Sequence, residues 1–381
     1  MRATGLMDPS RKQLPALRKT GLRQRATSVS IVFSAFLIVL EIFALTQTFS
    51  AIAMGEPIIA VIQFAIFLFM GWRYGGILIE TYLALNLVKQ FQTRNYGATE
   101  LSYHKMLQLW HLLPIRKGAS VALAYSNFGL VRLLQGKFDA AEAPLRESVR
   151  LMESDRRAKK HFLSAIPINN LAIVCARTGN LDEAESLATR ALKIYENHKK
   201  TKTTCGPAFP LIVLGWVHEE RGKFLEAEEC FERAYSLLSH EKSPAVILKE
   251  SIEQARITCK LNLAYLYLML AKQAQAEELC AELLHELSVS DEFFTVNGLR
   301  GINHLVPKLI ENNQTALAEQ LLEHAYFVAR HHPDHPDAKI LLNTYASLLE
   351  TSGRTAEIAD LNRWVRPVLL STHLIAPARI P

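Results

Sequence analysis

The side chains that most invite a chemical reading stand together near the C-terminus. His331, His332, Asp334, His335 and Asp337 are all metal-ligand types, packed into one short phrase, HHPDHPD. The same phrase has a plainer account. Histidine beside the last carbonyls of one helix eases its dipole, and Pro336 suits the first position of the next. On that account no metal and no cofactor are expected. Two further stretches, GLVRLLQGK at 129–137 and GWVHEERGK at 215–223, imitate a phosphate loop. Both put six residues between the glycines where four are needed, and neither has Ser or Thr after the lysine. Five cysteines, Cys175, Cys205, Cys230, Cys259 and Cys280, are scattered without a CxxC pair and read as small buried hydrophobes. With no GxSxG and no HExxH either, nothing supports catalysis, and a non-enzymatic binding protein is expected.

The elements that carry these residues repeat. Three segments share one grammar: YSNFGLVRLLQGKFDAAEAPLRESV, INNLAIVCARTGNLDEAESLATRALKI and LIVLGWVHEERGKFLEAEECFERAYSL. Each has an apolar–small pair (Phe128-Gly129, Leu171-Ala172, Leu214-Gly215), a turn glycine (Gly136, Gly179, Gly222), and a small residue on a second helix (Ala141, Ala184, Ala227). Small residues on both helices let the backbones approach, and glycine closes the turn. The pattern continues more weakly through Leu263-Ala264 with Ala276, Leu305-Val306 with Ala318, and Tyr345-Ala346 with Gly353. One step is stretched by SHEKSPAVILKESIEQ, and Ile358 stands where the last repeat should have a small residue. A degenerate first copy is expected over 80–117, with YGATELSYHKMLQLWHLLP as its second helix. Because one helical hairpin cannot bury a core, the expected fold is all-α, a right-handed solenoid of about six to seven stacked hairpins over 118–370, with a tail at 371–381.

The formal charge of +6 belongs to the other end of the chain. Residues 1–28 hold seven basic residues against the single acid Asp8, so the remainder is formally neutral and no nucleic-acid partner is expected. Two apolar stretches follow, at 29–54 and 57–79, each long enough to cross a hydrocarbon core. Only Gly55-Glu56 separates them, so a transmembrane helical hairpin is predicted over 29–79. The basic tail places the N-terminus, and with it the repeats, on the cytoplasmic side. Within the two apolar stretches the charged residues are Glu41 and Arg73. Either they pair, or Arg73 snorkels to the headgroups while Glu41 faces another helix.

The repeats resemble tetratricopeptide repeats in the longer spacing of kinesin light chain-like proteins. The resemblance is carried chiefly by INNLA…GNLDEAESLATRALKIYE at 168–196 and HHPDHPDAKILLNTYASLL at 331–349, and it covers roughly 118–366. It implies a scaffold that holds a protein or an extended peptide on its concave face. In peptide-binding members an asparagine just before the apolar–small pair reaches into that groove. Asn127, Asn170 and Asn262 match the position, and Asn169, Asn303 and Asn343 lie one residue earlier. An amide both donates and accepts, so it can grip a peptide backbone of any sequence. The same asparagines can equally bond between neighbouring helices. Arg177, Trp216 and Tyr265 lie further along the same helices as additional lining candidates. A membrane-anchored adaptor is one reading. A structural subunit of a membrane complex, assembled through the hairpin, is the other.

Overall fold

The computed structural model describes residues 95–112, 119–198, 205–240, 246–289, 296–354 and the positions 46, 61–62, 357–358 and 361. The predicted hairpin over 29–79, with Glu41 and Arg73, therefore lies outside the described residues apart from Thr46, Val61 and Ile62. No helix among the described residues is long and apolar enough to cross a membrane. The chain divides into two compact units, and the repeats belong to the one comprising 93–108 and 116–381.

That unit is helical throughout its described residues. A leading helix, α1 (Tyr96–Leu112), precedes α2 (Ala119–Leu134) and α3 (Phe138–Ser154), with a short α4 (Arg156–Lys160) after them. Then come α5 (Ala165–Arg177) and α6 (Leu181–Asn197), α7 (Ala208–Glu220) and α8 (Phe224–Ser239), α9 (Val246–Met269) and α10 (Gln273–Val289). The last are α11 (Val296–Glu311) with α12 (Thr315–Ala329), and α13 (Pro336–Thr351). Repeats 1 to 5 are the pairs α2–α3, α5–α6, α7–α8, α9–α10 and α11–α12, and α13 opens repeat 6. The stretched step, between repeats 3 and 4, is taken up by α9, which runs to 24 residues.

The small residues act as the spacing predicts. A Cβ at Gly215 would stand 2.7 Å from the ring of Phe231, and one at Gly129 would stand 2.5 Å from Cγ of Leu145. Ala141, Ala184, Ala227, Ala276 and Ala318 on the facing helices are fully buried. Both sides of each crossing are therefore in contact at their smallest, and a larger side chain would push the helices apart. Core side chains on either side of these crossings, among them Leu145, Phe231, Leu283 and Leu321, are wholly removed from water. Burial on that scale is worth roughly 1.5–3 kcal/mol per large apolar side chain.

Every first helix ends in the same way. The turn residue adopts positive φ at Gly136, Gly179, Gly222 and Gly353, and also at Ala271 (58°) and Asn313 (61°). In each, the residue after the turn donates its N–H five residues back, as from Lys223 to His218 (2.8 Å) and from Lys272 to Tyr267 (2.7 Å). This is the Schellman closure, and it satisfies carbonyls that the helix end would otherwise leave unpaired. Repeats 4 and 5 thus keep the turn without the glycine that announces it.

The outer surface carries a ladder of ion pairs between successive second helices. Arg146 bonds Glu183 (2.7 Å), Arg190 bonds Glu153, and Arg233 bonds Glu196 (2.5 Å), each across 37 residues. Glu100 on α1 accepts from Lys137, the residue capping α3, at the same separation of 37, just as Glu277 on α10 accepts from Gln314 before α12. In this respect α1 stands to α3 as α10 stands to α12.

Candidate functional site

First helices turn one side toward the middle of the array, where two polar clusters meet. The first is built by α7, α9 and α11. Glu219 lies four residues after the close-packed Gly215, hence on the same side of α7. It is almost fully buried, takes a hydrogen bond from His304 (2.6 Å), and faces Arg300 at 3.4 Å. Arg300 also donates to Glu220 (2.7 Å) and to Oδ1 of Asn262 (3.3 Å), and lies over the ring of Trp216 at 5.3 Å. Tyr265 meets His304 edge-on. Burial pushes the Glu219 carboxyl up, but the bond from His304 and the charge of Arg300 outweigh it and hold it below the usual carboxylate range.

The second cluster joins repeats far apart in sequence. Arg177, at the end of α5, donates to Oδ1 of Asp337 in α13 (2.6 Å) across 160 residues and covers the ring of Phe138 at 4.7 Å. His335 meets Phe138 edge-on, and Asn303 donates to the carbonyl of Asp337 (2.9 Å). Between the clusters lies a cavity lined by Leu133, Ile173, Trp216, Val296, Arg300 and Asp337, among others. Its volume is only ≈ 20 Å³, counted as space for the centre of a water-sized sphere. A second, open cavity of ≈ 530 Å³ on the same measure lies beside Lys137, Phe138, Arg177, Thr178 and Pro336.

The expected groove asparagines do not share one environment. Asn170 is buried and donates to Ser126 Oγ (3.2 Å) on α2, a bond between neighbouring first helices. Asn262 is buried too, donating to the carbonyl of Thr258 (2.7 Å) while accepting from Arg300. Asn169 is buried and its Oδ1 has no partner among the described residues, as is true of Asn303 Oδ1 and Trp216 Nε1. Asn127 is exposed and bonds Tyr103, and Asn343 is exposed. The structure therefore brings Asn262, Asn303, Arg177, Trp216 and Tyr265 into the two inner clusters.

The five histidines and aspartates of HHPDHPD are divided among separate tasks. His331 Nδ1 lies 2.6 Å from the carbonyl of Phe327 at the end of α12. His335 caps α13, accepting from the N–H of Asp337 (3.2 Å), with Pro336 opening the helix. Burial lowers the His335 pKa to about 4, which keeps the imidazole neutral and able to accept. No group of three or more His, Cys, Asp or Glu among the described residues is arranged to hold a metal ion. Burial pushes the thiols of Cys175 and Cys230 up to about 11 and that of Cys280 to about 12, so none is an activated nucleophile.

Sequence reasoning missed Phe138, Glu219, Glu220, Arg300 and His304. A signal existed only for Glu219, whose spacing from Gly215 turns it inward.

These features define a class, that of helical-hairpin repeat arrays with a polar inner face. More narrowly, residues 120–197, spanning repeats 1 and 2, match the family described as tetratricopeptide repeat. Among solved structures, a Rap protein complexed with competence and sporulation factor is similar at 14% identity and a TM-score of 0.52, covering 87% of each chain. The apo form of the quorum sensor NprR from B. thuringiensis is 14% identical with a TM-score of 0.47, covering 86% of this chain and 97% of that one. BtubC (BKLC) from P. vanneervenii is 18% identical with a TM-score of 0.42, covering 65% and 95%. At 14% identity the likeness to the Rap protein is one of fold. No curated protein sequence matches the chain.

Proposed function

We propose that the protein is a non-catalytic scaffold whose inner face binds a protein or an extended peptide. One observation carries this reading. Polar and aromatic side chains from α3, α5, α7, α11 and α13 converge on one narrow space, yet Trp216 Nε1 at its wall and Asn303 Oδ1 beside Asp337 have no partner among the described residues. An interior that served stability alone would satisfy such groups or replace them with apolar ones. The Rap structure was solved with competence and sporulation factor bound, and this agrees with a repeat array acting as a receptor. We propose further that residues 29–79 tether the scaffold to a membrane with the repeats on the cytoplasmic side. The basic tail and the two apolar stretches support this.

Asn169 lies one helical turn before Ile173 and two before Arg177, both lining the enclosed space, so Asn169→Leu separates binding from architecture. Its buried Oδ1 makes no bond in the protein, so an apolar residue of similar size should leave the thermal midpoint unchanged or raise it. Proximity labelling from the C-terminus should nevertheless recover less partner, by a factor of about 5 or more, the equivalent of roughly 1 kcal/mol for one lost hydrogen bond. Undiminished capture would count against the inner face.

A second reading makes the chain a structural subunit that assembles through the hairpin, favoured by Glu41 and Gln63 within the apolar stretches. In that case deleting 29–79 would abolish capture, while changes at the inner face would not alter it.

A further inference from the structure

Repeat arrays are held together by contacts between neighbours. Every broad helix–helix interface among the described residues obeys this, joining helices of the same repeat or of adjacent ones. Side-chain contacts reach further: Arg300 of repeat 5 meets Glu219 and Glu220 of repeat 3, Tyr96 of α1 stacks on His332 after α12, and one group spans repeats 1, 2 and 6. The turn of repeat 1, at Gly136–Phe138, and the end of α5 in repeat 2 meet the first turn of α13 in repeat 6. Arg177 is paired with Asp337, Phe138 abuts His335, and a Cβ at Gly136 would collide with Pro336. These are side-chain contacts, with no broad interface between α5 and α13.

Their effect is to close the inner face. The space they enclose holds one or two water molecules, whereas a bound ligand ordinarily occupies several hundred Å³. An occupant of the inner face must therefore enter an opened array. We propose that the Arg177–Asp337 pair is a latch: Asp337 of repeat 6, held by Arg177 of repeat 2, keeps the inner face closed, and releasing the pair opens it. The proposal concerns the regulation of the inner face and takes its purpose from the binding reading above.

The layout suits a latch. Releasing the pair leaves each repeat's own packing intact, because no core interface crosses it. Both partners keep slight contact with water, 15% exposed for Arg177 and 9% for Asp337, so on separation each is hydrated rather than stranded as a buried charge. The open cavity lined by Lys137, Arg177, Thr178 and Pro336 gives an approach to the pair from outside.

The test uses the full chain and no partner. Fluorophores carried by unnatural residues at the exposed positions Ala143 on α3 and Ile340 on α13 report the separation of repeats 1 and 6. A Val296→Cys thiol, lining the enclosed space, reports access through its rate of maleimide labelling, read at that residue by mass spectrometry. Arg177→Gln and Asp337→Asn should each lengthen the separation and raise the labelling rate tenfold or more, with helix content unchanged by circular dichroism. Arg177→Lys, which keeps the charge, should stay nearer the unaltered protein. Unchanged separation and labelling in both neutral variants would overturn the latch, and so would a lysine variant as open as the glutamine one. Either result leaves the Asn169→Leu test standing, so the latch and the binding surface can fail separately.

Discussion

The outer and inner sides of the array both carry ion pairs, of opposite character. Outside, pairs such as Arg146–Glu183 and Arg190–Glu153 each span 37 residues, between side chains 30–46% exposed. Inside, Arg300–Glu219 and Arg177–Asp337 span 81 and 160 residues, and their side chains are 3–15% exposed. The outer pairs follow the repeat period and are screened by water, so each is worth little. Inner pairs follow the curvature of the array. At Arg300–Glu219, 8% and 3% exposed, losing one partner is expensive even where the intact pair adds little net stability, whereas Arg177 and Asp337 are hydrated once they separate.

The largest expected effect follows from that asymmetry. Arg300→Ala would leave Glu219 buried with only His304 opposite it, and should cost about 3–5 kcal/mol in urea unfolding. A loss below about 1 kcal/mol would mean the inner network is as dispensable as the outer ladder.

Acid should expose the next difference. The His335 pKa falls from 6.5 in the unfolded chain to about 4 in the folded one, because burial disfavours the cation beside Arg177 and His332, with Asp337 partly offsetting this. The unfolded chain therefore binds the extra proton between these values. The stability this histidine contributes is complete above pH 6.5 and is lost as pH falls to about 4. It amounts to about 3 kcal/mol at most. His335→Asn, which can still cap α13, should flatten the stability–pH curve across that window. An unaltered slope would place the acid sensitivity elsewhere.

Turn chemistry gives an effect near 1 kcal/mol and compares the two halves of the array. Ala271 holds φ of 58° where repeats 1 to 3 have glycine, so Ala271→Gly should stabilise by about 0.5–1 kcal/mol. Gly222→Ala should destabilise by a similar amount. Thermal midpoints of the two variants should move in opposite directions. The smallest effect belongs to the outer ladder, where a double-mutant cycle of Arg146 and Glu183 should give a coupling of about 0.2–1 kcal/mol that shrinks in high salt.

The repeats were legible because their rules are local. An apolar–small pair, a turn glycine and a buried alanine at fixed spacing each have a steric cause, and Gly129, Gly215 and Ala227 do what that cause requires. Repeats 4 and 5 read weakly because Ala271 and Asn313 adopt the turn without advertising it. The inner face was legible only in part. Helical spacing can say that Asn170 and Asn262 turn inward, but their partners are set by how repeats stack. Asn170 meets Ser126 from 44 residues away, and Asn262 meets Arg300 from 38. Closure between Arg177 and Asp337 has no period at all and depends on the summed curvature of several repeats.

The most direct measurement places a photo-crosslinking phenylalanine derivative at one position on each side of the array in the full chain. Tyr265 reports the inner cluster through its contact with His304, and Phe327, 43% exposed on α12, reports a second helix. Both are aromatic, so the substitution is mild. Binding by the inner face predicts partner-derived crosslinks at Tyr265 that exceed those at Phe327 and that fall in the Asn169→Leu variant. Crosslinks at Phe327 with none at Tyr265 would contradict the account, moving the working surface to the outside of the array.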